Sequence, residues 1–127
     1  MRVAVTIPLP WPRPPATSNQ RGDWRTDAPR RKAARDGARW AIRARASSLP
    51  KLTPPVAFTI HWQIPNAITR DADGLALTGK ACLDACVDEH LIPGDSWRIV
   101  RLTAQTIHPP EAGKPAAMWM TLEEVRP

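Results

Sequence analysis

Arg70-Asp71-Ala72-Asp73-Gly74-Leu75, continued by Lys80-Ala81-Cys82-Leu83-Asp84 and closed by Pro93-Gly94-Asp95, is the stretch from which the rest of the 127-residue chain is read. Extended backbone before Leu75 would put Asp71 and Asp73 on one face, about 6 to 7 Å apart along the strand. Two carboxylates at that distance repel by roughly 2 to 3 kcal/mol at an effective dielectric near 20. A compact fold tolerates such a pair when a counter-charge is present, and a divalent cation is one. Hard cations such as Mg²⁺ take oxygen ligands, usually one or two carboxylates with waters and substrate phosphates. The stretch therefore reads as a metal site.

Beyond it, Leu75, Cys82, Leu83 and Cys86 recur at helical spacing, which predicts a helix from Gly74 to about Glu89. Pro93 stops it. Pro93-Gly94 suits the centre of a type II turn, with glycine at positive φ, so Asp95 is expected on a tight turn. Spacing alone leaves to tertiary packing whether Asp95 joins Asp71 and Asp73. Cys82 and Cys86, on one helical face, read as small buried hydrophobes rather than a metal pair.

Toward the amino end, Val3, Val5 and Ile7 alternate with Arg2, Ala4 and Thr6, which predicts a strand over 2–8. Pro8, Pro10, Pro12, Pro14 and Pro15 then impose an extended, stiff arm, anchored to the core by Trp11. The polar run Thr17 to Thr26 contains Arg21-Gly22-Asp23, a turn or loop signal. A helix capped by Thr26 or Asp27, with Pro29 in its first turn, is expected to run to about Ala46. Along it, Arg31, Arg35, Arg39 and Arg43 recur every four residues as a basic ridge, the leading surface for phosphate contact, because a guanidinium fork bonds phosphate bidentately. Arg70, beside the acidic motif, joins them as a DNA-binding candidate.

Toward the carboxyl end, Val56, Phe58, Ile60 and Trp62 alternate with Ala57, Thr59, His61 and Gln63 as a strand with one apolar face. Trp97 to Ile107 and Ala116 to Val125 read as two further strands. His61, His90 and His108 lack metal-ligand spacing, and His90, near Asp95, is an alternative acid or base. The order β-α-β-α-β-β indicates a single α/β (α+β) domain over 1–127, a small mixed sheet of about four strands backed by two helices. A small sheet with exposed edges and six tryptophans suits a homodimer.

Charge is uneven. Residues 1–51 carry a net +9 and the remainder a net −3. A basic half beside a carboxylate site is what a metal-dependent enzyme acting on a polyanion requires, since carboxylates alone repel the substrate. The opening Met1-Arg2-Val3-Ala4-Val5 is too short for an exported segment and no stretch approaches bilayer length, so no membrane partner is expected and a reducing cytoplasm, bacterial or that of a phage-infected host, is the expected setting.

The same residues resemble the core of the RusA family of Holliday junction resolvases. Its Asp-x-Asp-Asn-Leu motif, helix of pattern Lys-x3-Phe/Leu-Asp-Ala-Leu and following Asp-Asp pair correspond here to Asp71-Ala72-Asp73-Gly74-Leu75, Lys80-Ala81-Cys82-Leu83-Asp84-Ala85 and Gly94-Asp95. The opening Ile7-Pro8-Leu9-Pro10-Trp11-Pro12 with Ser18-Asn19 resembles the family's Leu-Pro-Trp-Pro-Pro-Ser-Asn. Gly74 and Gly94 depart from the pattern, as do three extra residues before Lys80. At 100° per residue a lysine seven after the aspartate stays on the face of one four after it, about one turn further along.

The resemblance implies a homodimeric, Mg²⁺-dependent endonuclease, with Mn²⁺ as an alternative ion, that resolves four-way DNA junctions by paired nicks. It assigns Asp71, Asp73 and Asp95 as catalytic metal ligands and Lys80 as the catalytic lysine. Two other readings stay open: a non-catalytic nucleic-acid-binding protein whose carboxylates form a network with Arg70 and Lys80, and a nuclease of other branched DNA such as forks or flaps. Asp84, one turn beyond Lys80, is expected to pair with it.

Overall fold

The computed structural model describes residues 2–17 and 24–126, without the side chains of residues 24–26. Its elements are β1 (Ala4–Pro8), α1 (Trp24–Arg43), β2 (Val56–Gln63), α2 (Ala76–Asp88), β3 (Val100–His108) and β4 (Ala117–Glu124), with 3₁₀ turns at Ala46–Ser48 and Ala72–Leu75. The four strands form one mixed sheet in the order β1-β4-β2-β3. β4 runs antiparallel to β1 and to β2, and Met120 lies opposite Ile7 on one side and Ile60 on the other. β2 and β3 are parallel. The chain is thus the mixed α/β fold expected, with the two helices on one face of the sheet.

Strand alternation builds that face. Val56, Phe58 and Ile60 of β2, Met118, Met120 and Leu122 of β4, and Val5 and Ile7 of β1 are all buried. They share one core with Ala38 and Ile42 of α1 and with Leu75, Cys82 and Cys86. Burying each large side chain stabilises by about 1.5 to 3 kcal/mol. A Cβ on Gly79 would lie 3.1 Å from Ile60 Cγ2, so α2 lies close against β2 there. Burial raises the Cys82 thiol well above its ordinary pKa and pushes Cys86 up to about 12. Both cysteines therefore behave as the small apolar residues expected. On the opposite face the rings of His61, His108 and Trp119 stack, with centroids 4.9 to 5.2 Å apart. His61 Nδ1 lies 3.0 Å from His108 Nε2, and burial holds its pKa below the ordinary value. Both histidines belong to this stack.

The proline arm is fixed at three points. Trp11 packs on Gly37 of α1, where an added Cβ would stand 2.6 Å from Trp11 Cζ2. The Trp62 indole N–H donates to the Pro12 carbonyl at 3.0 Å. The fully buried Thr78 hydroxyl accepts from the Ala16 N–H at 3.2 Å and donates to the Ala16 carbonyl. The arm is thus anchored by Trp11, as expected, and by two groups that periodicity does not reveal.

Boundaries differ in instructive ways. α1 begins at Trp24, ahead of both expected caps, and Pro29 lies inside it rather than in the first turn. Its end is earlier than Ala46 because the Arg45 N–H turns to Ile42, three back, and winds the chain into the 3₁₀ turn. Ser18-Asn19 and Arg21-Gly22-Asp23 lie outside the described residues. The type II turn at Pro93-Gly94 does not form, since the left-handed backbone falls on His90 (φ 60) and on Gly113 instead. The Leu91 N–H bonds to Cys86 O at 2.9 Å and the His90 N–H to Val87 O at 3.1 Å, the six-to-one and five-to-two pair that closes a helix around a left-handed residue. His90 therefore ends α2 and is not a partner of Asp95.

Two changes test these readings by urea unfolding. Gly37→Ala is expected to destabilise by about 1 to 3 kcal/mol through overpacking on Trp11, although alanine is the better helix former. His90→Gly is expected to stabilise by up to about 1 kcal/mol, because glycine adopts the left-handed backbone without strain. A stabilised Gly37→Ala or a destabilised His90→Gly would overturn the packing or the cap.

Candidate active site

The acidic motif does not lie on a strand. Asp71 is extended (φ −80, ψ 132) and caps the 3₁₀ turn that holds Asp73, while the Gly74 N–H donates to Asp71 O at 3.1 Å. The reason is geometric. In a strand, Leu75 would share a face with Asp71 and Asp73, and burying it would carry two carboxylates inside. Winding the chain buries Gly74 and Leu75 while both aspartates stay exposed.

Asp95 is held by Lys80. The Lys80 ammonium donates to Asp95 Oδ2 at 2.8 Å and to Asp84 Oδ1 at 2.9 Å, with the lysine side chain 58% exposed. The bond to Asp95, then that to Asp84, raises the Lys80 pKa, and the same lysine lowers that of Asp95. Lys80 is therefore a fixed cation at neutral pH, not a proton acceptor. Asp84 pairs with it as expected.

The arginine ridge divides. Arg35 donates twice to Asp88, at 2.6 and 2.7 Å. Arg39 and Arg43 grip Glu89 at 2.9 and 2.6 Å. These bonds hold α1 against α2, so three of the four expected phosphate contacts are engaged within the protein. Arg31 takes no part in this ladder. With Lys32, Arg35, Lys80 and Asp84 it lines a hollow of about 480 Å³ between the two helices. Arg70 is bound into its own loop, donating to the carbonyls of Asn66 and Ile68 and to Asn66 Oδ1. Trp62 ends the core face of β2 as expected: it is half-buried and packs against the core opposite Met118, and the Arg70 guanidinium lies over its ring, 5.0 Å from the centroid.

Among the described residues, no three His, Cys, Asp or Glu side chains form a group able to hold a metal ion. The donors at hand, Asp71, Asp73 and Asp95, are hard carboxylate oxygens exposed to solvent, the chemistry Mg²⁺ accepts when one or two carboxylates and a substrate phosphate complete its shell. Asp71 and Asp73 lie at the 3₁₀ turn before α2 and Asp95 beyond its end, and the three do not form such a group. No helix among the described residues is long and apolar enough to cross a membrane.

The ladder carries a pH prediction. Arg35 lowers the pKa of Asp88, and Arg43 and Arg39 lower that of Glu89. Folded values below unfolded ones mean that the stabilisation is complete above the ordinary carboxylate range and is lost as pH falls through the lowered values. Asp88→Asn with Glu89→Gln is expected to lower the thermal midpoint at pH 7 and to leave it equal to wild type near pH 2. An equal midpoint at pH 7 would deny the ladder a structural role.

Compared with known proteins, the chain matches no protein-family model and no curated protein.

Proposed function

We propose that the chain is a metal-dependent, structure-specific DNA endonuclease that resolves four-way junctions by paired symmetric nicks, acting as a homodimer in a bacterial or phage-infected cytoplasm. The observation that best supports this reading is the bond from Lys80 to Asp95, 15 residues apart in sequence. Two residues singled out by the RusA resemblance, and left apart by periodicity, stand within one hydrogen bond on ground open to a phosphate. The two-fold symmetry of a dimer would present one site to each of two opposed strands.

In this reading Asp71, Asp73 and Asp95 would hold one or two Mg²⁺ ions, with Mn²⁺ as a substitute, and that ion would supply activation of water and charge compensation at the attacked phosphate. Lys80 keeps Asp95 oriented and, as a cation, either steadies the developing negative charge or positions the water. Arg31, at the hollow that Lys80 also lines, draws the DNA backbone toward the carboxylates.

A second reading, a non-catalytic branched-DNA-binding protein, is favoured by one observation: Lys80 already bonds both Asp84 and Asp95, the closed network a structural role needs.

One assay separates the two: cleavage of a synthetic four-way junction and a linear duplex in Mg²⁺ by wild type, Asp73→Asn and Lys80→Gln. Paired nicks on the junction alone, reduced at least about a hundredfold in either variant, are expected. Asp73→Asn should bind the junction as well as wild type or tighter, because a negative charge near the phosphates is gone. Tight binding without cleavage in Mg²⁺ or Mn²⁺ would establish the second reading. Single-strand cuts at forks or flaps would move the substrate to those structures.

A further inference from the structure

We propose that the pocket beside Asp71, walled by Trp62 and Arg70, seats one nucleobase extruded from the DNA strand whose backbone passes the Asp71-Asp73 turn; this rests on the nuclease reading. The pocket has a volume of about 290 Å³ and is lined by Thr17, Trp62, Thr69, Arg70, Asp71 and Gly74, among others. That is at the roughly 300 Å³ lower limit for drug-sized ligands, a size for one planar ring system rather than a whole nucleotide.

Its walls are set before any ligand arrives. Trp62 is held at its rim by the bond from its indole N–H to Pro12 O, and at its root by the ladders of β2, which lies between β3 and β4. Arg70 is fixed by three hydrogen bonds of 2.8 to 3.0 Å, all to neutral oxygens, so none of these bonds cancels its charge. Its guanidinium lies 5.0 Å from the Trp62 ring centroid. The guanidinium therefore covers the indole face, and its own outer plane, with the indole edge beside it, is the surface left for an unpaired base to stack on, whatever its identity. The Thr69 hydroxyl adds a group able to donate to or accept from a base edge.

The position names the occupant. Asp71 lines this pocket and also opens the acidic turn, so a phosphate engaged at that turn carries its own base to the pocket mouth. Extrusion from a continuous duplex is costly, and less so where stacking is already interrupted. A base at the exchange point of a branched molecule meets that condition. The pocket would then favour branched over linear DNA and impose a base preference at the cut.

The test places 5-iodo-2′-deoxyuridine at each position around the exchange point of a four-way junction, irradiates the complex with the full-length protein without divalent metal, and maps the cross-linked residue by mass spectrometry. One position is expected to dominate, attached to Trp62, with the yield lowered at least about fivefold in Arg70→Ala. Trp62→Leu should abolish it, with a thermal melt as the folding control; Arg70→Ala, in a surface loop, keeps the test decisive if that variant does not fold. Cross-links spread evenly over positions, or confined to the exposed Trp40 or Trp97, would overturn the proposal. A Trp62 cross-link in a protein that never cleaves would leave the base pocket standing and remove the nuclease. Metal-dependent cleavage with Trp62 unmodified would do the reverse, and a protein that binds no DNA would lose both.

Discussion

β2 and β3 run parallel, and a parallel pair cannot be joined by a tight turn. The chain must leave the end of β2 at Gln63, cross back over the sheet and re-enter at Val100, and all of 64–99 is given to that return. The crossover needs an apolar helix face against the sheet, which Leu75, Cys82 and Cys86 provide, and room for close approach, which Gly79 leaves above Ile60. Every residue of the acidic motif lies on this one connection. Its start, at Asp71 and Asp73, and its last turn, at Asp95, are held to the same sheet by the same helix, and Lys80 projects from that helix to reach the last turn.

The second helix contact follows from charge. α1 carries a surplus of arginine, and α2 ends in Asp84, Asp88 and Glu89, so the two helices meet through opposite charges at their exposed margin and through Ala38 and Ile42 below it. Exposed ion pairs are each worth little, about 0.2 to 1 kcal/mol, but Arg39 and Arg43 share one carboxylate and act as a network. The same pairing leaves Arg31, at the end of α1 nearer the acidic turn, outside the ladder, while Lys32 pairs with Asp36 at 2.7 Å.

The fold was largely legible because its elements are specified by local burial. Alternation along Val56 to Trp62 and helical recurrence around Cys82 follow from which residues must leave water, and both elements formed where the pattern put them. Illegible features depend on what two distant segments share. A period-two reading of Asp71 and Asp73 neglected that Leu75 had the same phase and had to be buried. Arg35, Arg39 and Arg43 read as a DNA-facing ridge because their partners, Asp88 and Glu89, lie about fifty residues away. The Lys80 to Asp95 bond was beyond spacing arguments, since the turn that returns Asp95 is set by a left-handed His90, which residue preferences would have placed at a glycine.

The division of the ridge also changes where a polyanion would lie. Four free arginines every fourth residue would spread positive charge along the whole outer face of α1 and bind a backbone lengthwise, far from the carboxylates. With Arg35, Arg39 and Arg43 paired to Asp88 and Glu89, Lys32 to Asp36, and Lys80 to Asp84 and Asp95, Arg31 is the residue of the ridge that lines the hollow between the helices outside these pairs. Beyond Asp71 the next cation is Arg70, whose charge is bound only to neutral oxygens. Pairing within the protein thus engages three of the ridge arginines with carboxylates, and of the five arginines expected to contact phosphate it leaves Arg31 and Arg70 outside such pairs among the described residues.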